Sequence, residues 1–231
     1  MLPKAMGMVW QSNGNGNLWA RGDFGSAKSI DFMSMIWANA QAGTTIRLRL
    51  GASQAAVDGA APYDSGALPF IDPAITREDG LYSSHLEIDA VQTYRWWRID
   101  IGGHVGDFEA AALILGRRIQ SATYSNPGWT FGTEDLGEQD IGRFGVIEET
   151  DGMILRTLGF KIGWVTTEDF ETKWRPLLER GKRAIALWCF DPEEGHYRQA
   201  RTYFGFVQPN PATGGVGVDK YELELEIQSL I

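Results

Sequence analysis

Polar and apolar residues alternate along much of this chain, and the alternation predicts strands. Thr45–Leu50 sets Ile46, Leu48 and Leu50 on one side and Arg47 and Arg49 on the other, the period-two pattern of a strand with one face in water. In Tyr94–Ile101 the residues Trp97, Ile99 and Ile101 make a dry face and Arg98 and Asp100 a wet one, so Trp96 points away from Trp97. Ser84–Asp89, Glu109–Arg117, Gly128–Gly132, Phe144–Glu149, Ile154–Trp164 and Tyr197–Val207 read as further strands. Tyr221–Ile227 alternates strictly and carries an acidic outer row, whereas Ala184–Phe190 is apolar on both faces and reads as a central strand.

Two stretches follow a longer period. Ile30, Met33, Trp37 and Ala40 recur at helical spacing behind Ser29, a candidate cap, which predicts a short helix near 29–40. Thr166 or Thr167 can cap a second helix over about 167–180, with Glu168, Asp169 and Glu171 suiting its dipole. Phe170, Trp174, Leu177 and Leu178 form its apolar stripe and Gly181 its stop, and Pro176 is expected to kink or split it.

Between these elements the chain is punctuated by Gly and Pro. The segment up to Ala27, with Asn13–Asn17, reads as an irregular loop between short strands. Gly51–Gly80 reads as a long loop holding Pro62, Pro69 and Pro73, and loops of that length in compact domains usually carry function. Asn210–Gly215 reads as a hairpin tip. The expected organisation is mainly β, in two parts: a sandwich domain over 1–118 and a smaller β domain with one helix over 119–231.

A length of 231 residues and 43% hydrophobic content allow a substantial core. Nine Trp and 28 Gly favour an all-β chain, since Trp supplies stiff contact area and Gly supplies tight turns. The net charge of −9 argues against a nucleic-acid partner, which needs clustered Lys and Arg. No apolar run is long enough for a membrane span, and the first ten residues are too short for a secretion signal. Cys189 stands alone, so no intrachain disulfide forms, in keeping with assembly in a reducing cytoplasm.

Motifs for catalysis are missing from the sequence. There is no Gly-x-Ser-x-Gly elbow, no phosphate-cradling loop, no His-Glu-x-x-His and no cysteine pair. The acidic run Asp135, Glu138 and Asp140 reads as a solvated turn. His85, Glu87 and Asp89 share one strand face, where a cation would meet three donors. The same spacing is ordinary for a half-wet strand, so neither a metal nor another cofactor is assigned, and the chain is expected not to be an enzyme. Sugar binding asks for less, an aromatic face and a few polar side chains. Asp58, Tyr63 and Asp64 in the long loop, with Tyr82 just beyond it, are the candidate carbohydrate-binding residues, and Trp19, Trp96 and Arg117 the candidate interface residues.

The strand Tyr94-Arg-Trp-Trp-Arg-Ile99, followed by one ending in Leu115-Gly-Arg117, resembles the closing strands of galactose-binding-like, discoidin-type jelly rolls. More narrowly, the chain resembles a family of siphophage tail-tip or baseplate proteins. The matching pieces run in order along it: Trp19-Ala-Arg-Gly-Asp23, Ile46-Arg-Leu-Arg49, Tyr63-Asp-Ser-Gly66, Trp97-Arg-Ile99, Leu115-Gly-Arg117 and Tyr124-Ser-Asn-Pro-Gly-Trp129. The resemblance implies a galactose-binding-like jelly roll and then a smaller β domain. It implies a virion structural protein at the tail tip, made in the host bacterial cytoplasm and assembling as a symmetric homo-oligomer. Its expected partners are hub, distal tail and neighbouring baseplate subunits, with host surface glycan as a further contact. The alternative function is a carbohydrate-binding module.

Overall fold

A computed structural model describes residues 9–14, 18–120, 128–141, 147–150, 152–180, 185–207, 212–217 and 219–230. The predicted features at 15–17, 124–127, 144–146, 181–184 and 208–211 lie outside these residues. By internal contacts the chain divides into two compact units: Met1–Arg118 with Glu193–Gln199, and Ile119–Pro192 with Ala200–Ile231. The short excursion Glu193–Gln199, which includes the first three residues of the predicted strand Tyr197–Val207, joins the first unit, where the Gln199 amide donates to Ser83 O (2.6 Å) and accepts from Ser83 N (2.9 Å).

The first unit is one antiparallel, sandwich-like β system. Its strands are β1 (Trp10–Gln11), β2 (Leu18–Ala38), β3 (Thr45–Gly51), β4 (Tyr63–Asp64), β5 (Leu68–Pro69), β6 (Leu86–Gly102) and β7 (Glu109–Gly116). The order across the sheet is β1-β7-β2-β6-β3-β4, with β5 also on β3. A short helix, α1 (Gln54–Asp58), follows β3 and is capped by Ser53.

Three expectations change here. The helix near 29–40 is the second half of β2, which starts at Leu18 and also takes up residues 18–27 of the predicted opening loop. Ile30, Asp31, Met33, Ser34, Met35, Ile36 and Ala38 are all buried, because β6 and β7 flank this stretch and both its faces are covered. A strand buried on both faces loses its period of two, and chance spacing then imitates a helix. Second, Leu86–Asp89 of the predicted strand Ser84–Asp89 runs on with Tyr94–Ile101 in one long strand, β6. Third, the long loop 51–80 is tied down by α1, β4 and β5, and its Phe70 is fully buried.

Of the register breaks in β2, the one between Asp23 and Lys28 lies within its pairing to β6, and the one between Ile30 and Phe32 adjoins the start of its pairing to β7. Such breaks bend a strand. Both halves of the sheet consequently share one core, in which Met33, Met35 and Ala110 join Leu48, Leu50, Ile99, Ile101, Phe70 and Phe108. Trp97 lies across Gly22, its register partner, and a Cβ at position 22 would overlap the indole.

The second unit is a further antiparallel sheet. Its strands are β8 (Thr130–Asp135), β9 (Glu138–Ile141), β10 (Ile147–Thr150), β11 (Ile154–Thr166), β12 (Ala186–Cys189), β13 (Thr202–Val207), β14 (Ala212–Gly217) and β15 (Lys220–Ser229). The order is β12-β13-β15-β11-β8, with β14 also on β15 and β9 paired to β10. The predicted central strand, β12, is therefore an edge strand in this sheet. Its residues are all half-buried, with Trp188 and the adjacent Phe190 packed against Phe160. An apolar run reports covered faces, and covered faces do not require two strand neighbours.

Thr166 caps the second helical segment, its Oγ1 accepting from Asp169 N (3.2 Å). The segment runs as α2 (Thr167–Asp169), a π-helical turn (Phe170–Trp174) and α3 (Arg175–Leu178). Pro176 brings no N–H and its ring crowds the carbonyl four residues back, so the wider turn falls directly before it. Phe170 and Trp174 are buried with Leu158, Ile162, Leu223 and Ile227. Among the described residues no helix is long and apolar enough to cross a membrane.

Candidate functional site: a guanidinium row under an exposed tryptophan

The wet face of the first sheet collects charge by register. Arg21 of β2 lies opposite Arg98 of β6, Arg98 opposite Arg49 of β3, and Arg49 opposite Asp64 of β4. One row along, Trp19 faces Asp100 and Asp100 faces Arg47. Residues directly opposite in antiparallel strands project to the same side, so three guanidinium groups stand abreast.

Aspartates hold them apart. Asp100 binds Arg49 through Nε (2.9 Å) and Nη2 (2.7 Å) and also accepts from Arg98 Nε (2.9 Å) and Nη2 (2.7 Å). Asp58, at the end of α1, accepts from Arg98 Nη1 (2.9 Å) and from Arg21. Arg47 forks onto Asp64, with Nε at 2.7 Å. At the rim, Arg95 forks onto Asp23 with both contacts at 2.7 Å. Hydrogen bonds from Arg98, Arg47 and Arg95 hold the carboxyls of Asp58, Asp64 and Asp23, respectively, below the ordinary aspartate range. All three are ionised acceptors at neutral pH.

Trp19 stands over this network, with the Arg98 guanidinium 4.7 Å and that of Arg21 5.3 Å from its ring centre. It remains 49% exposed. The short helix supplies the neighbouring wall: Val57 is fully buried, and Gly51 lets Ala56 and Val57 approach β3, where a Cβ would press on both.

The structure thus divides the predicted carbohydrate residues. Asp58 and Asp64 belong to the charged face. Tyr63 packs against the core, and Tyr82 is buried, its hydroxyl accepting from Arg77 N (3.1 Å), so the Tyr82 ring offers no stacking surface. Of the predicted interface residues, Trp19 is on the charged face. Trp96 is half-buried beside Arg95, 6.0 Å away, and Arg117 pairs with Asp31 (3.1 Å). Sequence reading missed Arg21, Arg49, Arg98 and Asp100 as one group. Their alternation marked a wet strand face, but only register sets strands side by side.

The histidine and carboxylate spacings resolve into structural roles. His85 Nε2 meets Glu87 at 3.1 Å, Glu87 pairs with Arg118, and the imidazole packs edge-on to Phe32. Burial pushes the His85 pKa below its usual value, outweighing Glu87. His104 is buried between Thr44 (3.3 Å), Asp107 O (3.3 Å) and the Phe108 ring. Among the described residues no group of three His, Cys, Asp or Glu side chains is placed to hold a metal ion.

The second unit exposes a different kind of surface. Phe131 on β8 lies opposite the buried Leu158, so it continues the apolar face of the sheet, yet it is 56% exposed. Ile154, opposite Asp135, is 61% exposed, and Trp129 packs on Phe190 with half its surface in water. Further along β11, Trp164 adopts a left-handed φ of 60° at the break of register between Ile162 and Val165. Its neighbours in the break stay buried while the indole is 62% exposed. A bulky residue in that conformation is strained.

Compared with known proteins, the chain matches no family model, no curated protein and no solved structure.

Proposed function

We propose that this chain is a non-catalytic structural subunit of a phage tail tip or baseplate, packing against neighbouring copies of itself and adjoining tail proteins. The observation that carries this reading is the uncovered aromatic surface of the second unit. Trp129, Phe131 and Ile154, on or beside the paired strands β8 and β11, are each at least half exposed, and neighbouring exposed apolar groups mark protein contacts. Trp164 strengthens the argument, because strain that keeps a large ring out of the core costs stability that a partner can offset. In a symmetric particle each weak contact is repeated, so modest surfaces suffice for a stable ring. The resemblance of the ordered motifs to siphophage tail proteins is the reason for placing the assembly at a tail tip. The finer fold reading belongs with it: the first unit is a galactose-binding-like jelly roll. Its antiparallel strands and non-sequential order, with β7 between β1 and β2, support that reading.

A cryo-EM reconstruction of the tail tip of the particle that encodes this chain is the test. The expected result is a ring in which Phe131, Ile154 and Trp164 are buried against neighbours. Absence of the chain from the particle, or a ring that leaves these residues in solvent, overturns the reading.

A further inference from the structure

We propose that β8 pairs with β8 of a second copy, antiparallel across a two-fold axis, so that the sheets of two second units become one. The inference rests on the assembly reading and specifies how one of its contacts is made, by backbone pairing at a sheet edge.

β8 ends its sheet, with β11 on one side and, among the described residues, no strand on the other. Leu136 N donates to Met153 O (3.0 Å), one step beyond the Asp135–Ile154 pair in the same register. Backbone groups alternate in direction along an antiparallel strand, so Thr130, Gly132 and Glu134 also bond toward β11. Phe131, Thr133 and Asp135 therefore turn their N–H and C=O groups to the open edge. Five of the six residues of β8 are exposed, whereas all four of β12, the strand at the far edge, are half-buried. Open edges are usually guarded by Lys, Pro or a bulge, and β8 has none of these. A row of backbone donors and acceptors is matched along its length by one kind of partner, an extended strand.

The pattern of β8 itself fits a second copy. Phe131 stands opposite the buried Leu158 and Asp135 opposite Ile154, so the edge-facing residues carry their side chains on the apolar side of the sheet. When two such edges pair antiparallel, the edge-facing residues of each copy lie opposite those of the other and share that side. The exposed row of Phe131 and Ile154 then continues into the same row of the partner, and apolar area of both copies leaves water. Charge sets the direction. Glu134 and Asp135 close the C-terminal end of β8, and parallel pairing would place them beside the same acids of the partner, which is unfavourable. Antiparallel pairing brings them to the uncharged Thr130–Gly132 end. A two-fold contact uses the same patch on both copies, so a ring made of these pairs holds an even number of copies.

The full chain is followed by sedimentation from micromolar to millimolar concentration, with residue-resolved amide exchange at both ends of that range. The expected result is a monomer–dimer equilibrium in which the amides of Phe131, Thr133 and Asp135 exchange at least about tenfold more slowly in the dimer. Those of Gly132 and Glu134, already bonded to β11, are expected to change less. Thr133→Pro removes one edge-facing N–H, a change that open edges tolerate, and is expected to weaken dimerisation at least about tenfold. Thr133→Val keeps the N–H and is expected to dimerise within about threefold of the parent. The proposal is overturned if the chain stays monomeric at millimolar concentration or if a dimer forms without slower exchange at Phe131, Thr133 and Asp135. It is also overturned if Thr133→Pro, folded by circular dichroism, dimerises as well as the parent. Amide exchange reads the parent chain, so the test holds even where the proline variant unfolds. A monomer in solution, beside a particle ring that buries Phe131, ends this proposal and leaves the assembly reading standing. A dimer formed by a chain absent from the particle does the reverse.

Discussion

The two units expose opposite chemistry on surfaces built from the same antiparallel architecture. In the first, the inward residues Ile46, Leu48, Leu50, Ile99 and Ile101 of β3 and β6 are fully buried and the outer face is a lattice of paired arginine and aspartate. In the second, the apolar face runs on past its core to Phe131 and Ile154 at the β8 side, where solvent reaches it. A matched polar face is comfortable in water, since its guanidinium and carboxylate groups satisfy one another. An apolar edge discriminates little and gains most from being covered by protein, because removal of apolar area from water is favourable whatever the partner's detail.

The contrast is broken most strongly by Leu48→Ala against Phe131→Ser. Leu48 is fully buried and directly opposite Ile99, so its truncation is expected to cost about 2–5 kcal/mol. Phe131→Ser removes an exposed ring and is expected to change monomer stability by no more than about 0.5 kcal/mol, while abolishing assembly. Urea unfolding of the monomer, with sedimentation or particle incorporation as the second readout, separates the two effects.

A smaller effect sharpens the account of the polar face. Asp100→Asn leaves the nearly buried Arg49 without its carboxylate partner, and about 2–3 kcal/mol of destabilisation is expected. The exposed Arg77–Asp79 pair serves as the comparison, and Asp79→Asn should cost less than about 1 kcal/mol. Equal losses in the two variants would show that the arginine row is an ordinary solvated surface.

The smallest effect is in pH. Burial lowers the folded-state pKa of His85 below its usual value, so the unfolded chain binds more protons between that lowered value and about 6.5. Stability from this group is complete above that window and declines as pH falls through it. Asp58 and Asp64 act lower, since their contribution is present above the unfolded aspartate value and lost as pH drops further. Urea midpoints at pH 7.5 and 5.5 should differ more for the parent than for His85→Gln. An unchanged difference would remove His85 from the account.

Much of the fold was legible where one face is wet and the other dry. Thr45–Leu50, Trp97–Ile101 and Tyr221–Ile227 have the predicted faces in β3, β6 and β15, and Thr166 caps the predicted second helix. Legibility failed where burial is two-sided. Residues 29–38 read as a helix because their polar residues Asp31 and Ser34 are buried with the apolar ones and mark no wet face, and Ala186–Cys189 read as central although it lies at an edge.

For the polar site, the chain by itself determined the ingredients: Arg on each of three strands, Asp58 and Asp64 in a turn-rich stretch, and a tryptophan two residues before Arg21. Local alternation settles which side of its own strand a residue occupies, since that needs only the pleat. Tertiary structure alone decided that Arg21, Arg98 and Arg49 stand in one row and that Asp58 folds over them while Tyr63 and Tyr82 turn inward. Register couples residues tens of positions apart, and a slip of one residue would send each set to the opposite face. No short-range pattern can encode that choice, because it is made by the shared core beneath the sheet.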